Sequence, residues 1–183
     1  MPQPGPQWTV FLDRDGVLNR KAPEGEYIRT WASFAWLPGA VEAVARLGTA
    51  GARVLIVTNQ QGIAKGVIRP ADLDDIHARL RVDVQHAGGR IDGIYVCPHM
   101  AGTCDCRKPA PGLFHQAKRD IPDISFSRSI VIGDSPADIE AGRAIGARTV
   151  QVERAGVPQV PGADGFARHL EDAVDRFVLQ WIA

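Results

Sequence analysis

Two aspartates one residue apart, Asp13 and Asp15, close a short apolar run and are followed at once by Gly16 in the stretch Val10-Phe-Leu-Asp-Arg-Asp-Gly-Val-Leu-Asn19. Carboxylates this close raise each other's pKa unless something positive holds them, and a hard divalent cation bound through oxygen, magnesium above all, is the usual relief. With that cation in place, one carboxylate can attack phosphorus and form an aspartyl phosphate while the other works as general acid and base. A solvated turn after a strand, where Asp and Gly are ordinary residues, is the competing reading of the same stretch.

Three more clusters carry chemistry. Thr58-Asn59-Gln60-Gln61-Gly62 follows the apolar run Arg53–Thr58, and it offers a hydroxyl, amides and backbone donors to a phosphoryl oxygen, or else forms a plain polar turn. The three cysteines, Cys97, Cys104 and Cys106, fall within ten residues with His99 among them. An odd number so closely spaced is a poor disulfide framework and a good metal site. Arg107 and Lys108 follow directly, and Asp134 ends the apolar run 129–133.

These residues need a scaffold that gathers them. Apolar runs at 10–12, 53–58, 91–96, 129–133 and 149–152 alternate with helical patterns at about 38–50, 70–87, 111–119, 135–145 and 166–181. Strand–helix alternation predicts an α/β fold, a doubly wound, Rossmann-like and mainly parallel sheet with helices on both faces. In such a sheet the ligand gathers at the carboxyl ends of the strands, where Asp13 with Asp15, Thr58 with Asn59, Arg107 with Lys108, and Asp134 all fall. Carboxylates would hold the cation and supply the nucleophile, Thr58 would grip the transferring group, and Lys108 would offset charge.

Residues 20–37, with Tyr27, Trp31, Phe34 and Trp36, are expected as a loop packed on its own aromatics and as the candidate contact for the rest of a substrate. His77 and His86 are taken as surface or packing residues, since neither has a partner at ligand spacing. The 183 residues, 45% apolar and 23% charged, suit one core and a single domain over 9–183, after a disordered leader at 1–8. The formal net charge of zero gives no support to a nucleic-acid partner. No apolar run is long enough to span a bilayer, so a cytoplasmic monomer is expected.

Phe11-Leu-Asp-Arg-Asp-Gly-Val-Leu-Asn, Val57-Thr-Asn-Gln-Gln-Gly-Ile-Ala-Lys-Gly, Cys-Asp-Cys-Arg-Lys-Pro and Ile132-Gly-Asp-Ser-Pro-Ala-Asp resemble the four motifs of the haloacid dehalogenase superfamily, in the right order on the right elements. More narrowly the chain, from about residue 9 to 152, is similar to the D-glycero-D-manno-heptose 1,7-bisphosphate 7-phosphatases, enzymes of carbohydrate metabolism. The resemblance implies a phosphatase without a large cap domain, in which Asp13 attacks phosphorus and Asp15 protonates the leaving sugar oxygen and then activates water. It implies Mg2+ held by Asp13, the Asp15 carbonyl and Asp134, with Thr58 and Lys108 on the phosphoryl group. A small sugar phosphate would be met by Arg107 with Lys108, by Glu24, Gly25, Glu26 and Tyr27, and by Thr58, Asn59, Gln60 and Gln61. Cys97, His99, Cys104 and Cys106, in loop 97–106, would close a structural zinc site. Histidinol-phosphate phosphatase is the alternative activity, and Gly62-Ile-Ala-Lys-Gly66 favours the heptose enzymes. Ser135-Pro136 replaces a basic residue often found after the last motif aspartate in those enzymes.

Overall fold

The computed structural model describes residues 7–183. Six parallel strands, β1 (Thr9–Leu12), β2 (Arg53–Asn59), β3 (Gly93–Cys97), β4 (Ser129–Gly133), β5 (Arg148–Val152) and β6 (Gly165–Ala167), form one sheet in the order β3-β2-β1-β4-β5-β6. β1 sits in the middle, with Phe11 opposite Leu55 on one side and Val131 on the other. The strands are apolar at nearly every position because both faces of the sheet are covered.

Alternation along each strand divides the core in two. Val10, Leu12, Val54, Ile56, Ile130 and Ile132 pack against α1 (Ala40–Thr49), α2 (Pro70–His86) and the C-terminal helix. Phe11, Leu55, Val57 and Val131 face the other way, onto α3 (Gly112–Asp120) and α4 (Pro136–Ala144). The doubly wound architecture expected from the sequence is the one observed. The C-terminal helix runs through α5 (Leu170–Ala173), a π-helical turn (Val174–Val178) and α6 (Leu179–Ile182).

The loop over 20–37 is built as expected on its aromatics. Trp31 and Phe34 stack with centroids 4.8 Å apart, Phe34 meets Trp36 edge-on at 5.1 Å, and the Trp36 indole donates to Asp83 on α2 at 2.8 Å. The loop is therefore pinned to a helix.

Two expectations need correction. The sequence reading ended the sheet at Val152 and gave Phe166 to a helix, whereas Gly165–Ala167 pairs with β5 as a sixth strand. Three residues beginning with glycine carry too little alternation to be recognised. Of the expected leader 1–8, residues 1–6 lie outside the described residues, while Gln7 donates to the Gly51 carbonyl at 2.8 Å and Trp8 lies between the guanidinium groups of Arg128 and Arg148. No helix among the described residues is long and apolar enough to cross a membrane.

Phe11 at the sheet centre meets Phe114 of α3 at 5.0 Å and 69°, both with no exposed surface. Phe114→Ala should destabilise the fold by about 3–5 kcal/mol, measured by urea unfolding. A loss below about 1 kcal/mol would show that α3 is not anchored there.

Candidate active site

The carboxyl ends of β1, β2 and β4 and the loop after β3 open onto one cavity of about 730 Å³. Asp13 and Asp15 come from β1, Asn59, Gln60 and Gln61 from β2, Arg107 and Lys108 from beyond the cysteines, and Glu24, Gly25, Glu26 and Tyr27 from the pinned loop. Thr58 is set back: it is 1% exposed, and its hydroxyl accepts from Gln60 Nε2 at 2.8 Å. The same Nε2 donates to Asp15 Oδ2 at 2.8 Å, so Gln60 ties the two together.

At the floor lies a buried ammonium. Lys108 Nζ contacts Asp13 Oδ1 at 2.9 Å, the Val57 carbonyl at 2.6 Å and Asp138 Oδ1 at 2.6 Å. An ammonium has three hydrogens, and all three are used inside the protein. The main chain of Lys108 is held as firmly. Asn59 accepts from its N–H and donates to its carbonyl, both at 3.1 Å, which spends that amide on scaffolding rather than on a ligand.

Asp138 is a site residue that the sequence reading passed over. It lies in the first turn of α4, four residues after Asp134, and its Oδ2 accepts from the Ser135 N–H at 3.1 Å. The signal was the spacing Asp134-x-x-x-Asp138, which places a second carboxylate at the helix start. Glycine makes the approach possible, since a Cβ on Gly133 would come within 2.1 Å of the Asp138 Cβ. Gly16, with φ of +95°, does the same for Asp134: a Cβ there would lie 2.3 Å from Oδ2. Lys21 and Arg154 also line the cavity without having been singled out, and Lys65, of the stretch 62–66, joins them.

Electrostatics follow from burial. Asp13 is pushed up to about 7, chiefly by burial and further by Asp138, Asp134 and Asp15, with Lys108 pulling the other way. Burial likewise raises Asp134, against the opposing pull of Lys21 and Arg154, which approach Oδ2 at 3.3 and 3.6 Å. Lys108 rises above its ordinary range, because the charges of Asp13 and Asp138 outweigh burial. Asp15 moves down: burial would raise it, but Arg14 at 2.9 Å, Asn19 at 3.0 Å and Gln60 hold its carboxylate. Asp13, Asp134 and Asp138 can bring one oxygen each within 4.8 Å of the others. Lys21 and Arg154 reach Asp134 from the solvent side, so the only buried cation among the three carboxylates is Lys108, and a divalent cation fits that buried deficit.

The cysteine loop forms a second cluster. Cys97, His99, Cys104 and Cys106 bring one ligand atom each within 4.8 Å, with Sγ–Sγ distances of 3.6, 3.2 and 3.4 Å and Cys106 Sγ 3.2 Å from His99 Nδ1. A tetrahedral thiolate site has sulfur–sulfur edges of about 3.8 Å. All three thiols are free, and burial together with its cysteine neighbours pushes Cys106 up to about 12. A cation shared by these donors removes that penalty.

A family model for HAD-hydrolase-like proteins matches residues 105–173. A protein of Mycobacterium bovis named D-glycero-alpha-D-manno-heptose-1,7-bisphosphate 7-phosphatase is 44% identical over 144 residues, 78% of this chain and 75% of its own. A Pseudomonas putida protein named for the beta anomer is 42% identical over 145 residues, 79% of this chain and 81% of its own. The solved D,D-heptose 1,7-bisphosphate phosphatase of B. bronchiseptica, complexed with magnesium and phosphate, superposes with a TM-score of 0.84 at 29% identity, covering 95% of this chain and 99% of that one.

The geometry makes two predictions. Lys108→Met strands two buried carboxylates and should cost about 3–5 kcal/mol in urea unfolding, with Asp138→Asn in the same chain recovering part of the loss; no recovery would mean that charge is not the cause. Elemental analysis of freshly purified protein should find about one tightly held metal per chain at the cysteine cluster, removed by a strong chelator with a fall in Tm. Metal-free protein with the same Tm would remove the site.

Proposed function

The chain belongs to the heptose 1,7-bisphosphate 7-phosphatases, among the HAD-like hydrolases, and from that membership and its geometry we propose how its own residues perform the reaction. The enzyme is a phosphatase of D-glycero-D-manno-heptose 1,7-bisphosphate, from which it releases the 7-phosphate. The observation that carries the mechanism is the Lys108 contact to Asp13 Oδ1 at 2.9 Å. It aims the Asp13 carboxylate and works against the burial that raises its pKa.

Asp13 attacks the 7-phosphorus, and the bond from phosphorus to the sugar oxygen breaks. Asp15 gives its proton to that oxygen. The incoming phosphate, set against Asp15, opposes the pull of Arg14 and favours the protonated acid. Water then attacks the aspartyl phosphate on Asp13 and loses a proton to Asp15, and phosphate leaves.

Asp13, Asp134 and the Asp15 carbonyl are the groups suited to Mg2+, since both oxygens of Asp138 already have partners, Lys108 and Ser135. When bound, the ion neutralises charge on the phosphoryl oxygens. Gln60 aligns Asp15 with Thr58, and Lys108 steadies Asp13. The second cation is zinc at Cys97, His99, Cys104 and Cys106, a closed set with a structural role, because the loop it gathers leads straight into Arg107 and Lys108.

The sugar and its distal phosphate lie toward Arg107, Lys65, Tyr27 and Gln61. Gln61 donates to the Tyr27 hydroxyl at 3.3 Å, and Lys65 Nζ is 5.5 Å from the Tyr27 ring centroid. The placement of Lys65 beside Arg107 supports the heptose reading of residues 62–66, since both cations suit a second phosphate.

Asp13→Asn should reduce phosphate release to background while circular dichroism stays unchanged; an active variant removes the nucleophile. Compared by kcat/KM with magnesium, one anomer of the heptose bisphosphate should exceed fructose 1,6-bisphosphate and histidinol phosphate by about a hundredfold or more. Preference for histidinol phosphate would overturn the substrate while leaving the chemistry in place.

A further inference from the structure

The least expected side chain in the protein is Arg14. It lies between the two motif aspartates, it has no exposed surface, and it is the largest of the fully buried side chains. Burying a guanidinium costs several kcal/mol, which only a full set of partners offsets. Arg14 does not have that set. Its Nη2 donates to Asp15 Oδ1 at 2.9 Å, its Nη1 meets Nε2 of His77 at 3.2 Å, and its buried Nε has no partner.

A second carboxylate facing Nη1 would be the better arrangement for stability alone. The structure supplies a histidine instead, from the middle of α2, 8% exposed among Leu73, Ile76 and Leu80. Burial, followed by the charge of Arg14, drives His77 down to about 3, so the ring is neutral. The nitrogen facing a guanidinium N–H must accept, and the proton is therefore assigned to Nδ1. A neutral acceptor fixes the plane of the fork and leaves its positive charge undivided for Asp15. The Arg14 carbonyl meanwhile accepts from the N–H groups of Leu18 at 2.9 Å and Asn19 at 3.2 Å, which holds the backbone of the turn. Asn19 in turn donates to the same Asp15 oxygen at 3.0 Å.

We propose that His77 is a positioning residue that acts through Arg14, holding the guanidinium so that the Asp15 carboxyl keeps the orientation required for both proton transfers. The proposal rests on the reading of Asp15 as the proton-transfer group. It extends the site to α2, where no catalytic residue lies. Orientation errors at a proton-transfer group cost rate rather than affinity, because the bound substrate is held by other residues.

The test uses the full chain with magnesium and compares His77→Leu, His77→Gln and Arg14→Met with the wild type. On heptose bisphosphate, His77→Leu should lose about tenfold to a hundredfold in kcat with KM within about twofold, and His77→Gln, which retains an acceptor, should recover most of it. The decisive substrate is p-nitrophenyl phosphate, whose leaving group departs without a proton. Formation of the aspartyl phosphate then needs nothing from Asp15, whereas its hydrolysis still does.

His77→Leu should therefore show a nitrophenolate burst of about one per active site at the wild-type rate, followed by a steady rate slowed as on the sugar. Arg14→Met should behave alike, and it carries the test should His77→Leu fail to fold. Equal slowing of burst and steady rate, or no recovery with glutamine, would assign His77 to the core alone and overturn the proposal. A wild type that releases phosphate from neither substrate is a separate outcome, which overturns the phosphatase reading.

Discussion

A single buried ammonium makes this site possible. Lys108 stands between Asp13, from the end of β1, and Asp138, from the start of α4, with Asp134 beside them. Like charges this close in a medium of low effective dielectric repel by several kcal/mol, so without Lys108 at least one carboxyl would take up a proton. Asp134 meets Lys21 and Arg154 only from the solvent side, so the buried part of the group has one ammonium for three carboxylates. A divalent cation is suited to that deficit.

The sheet order explains why these groups meet. β1 is central, with β2 and β4 as its neighbours, so the loops that leave these three strands at one edge are adjacent whatever their separation in sequence. Lys108 alone must be brought in from a strand further out. Two devices deliver it: the reciprocal Asn59 bonds clamp its main chain to the end of β2, and the cysteine cluster gathers the loop that precedes it. A long polar loop cannot hold a lysine in a buried position by itself. The Cys/His cluster and the buried lysine are thus one mechanical unit.

The sequence is legible where chemistry and position coincide. Asp13, Asp15, Lys108 and Asp134 could be read because each lies at the end of an apolar run or beside a dense motif, and the alternation of strands and helices fixed which edge they share. What escaped depends on pairings between distant residues. His77 lay in an amphipathic helix with no partner at ligand spacing, because its partner is Arg14, 63 positions away. Asp138 was placed only in the first turn of its helix, where it also completes the capping box of Ser135. Asn59 and Gln60 came as substrate contacts from the family resemblance, and their amides also bond Lys108 and Asp15 with Thr58, pairings that the sequence does not show. β6 escaped because three residues carry no periodicity.

That no large cap covers the site among the described residues has a chemical consequence. In an enzyme that closes over its substrate, exclusion of water strengthens the electrostatics and protects reactive intermediates. Here the mouth is bounded by the short segment 22–28, belonging to a loop that the Trp36–Asp83 bond pins to α2. Selectivity then rests on the charged groups around the cavity, where Arg107, Lys65, Lys21 and Arg154 outnumber Glu24 and Glu26. Such a rim favours small anions carrying a second negative charge. The open mouth also admits water to an aspartyl phosphate, so hydrolysis rather than transfer to another acceptor is the fate that this geometry favours.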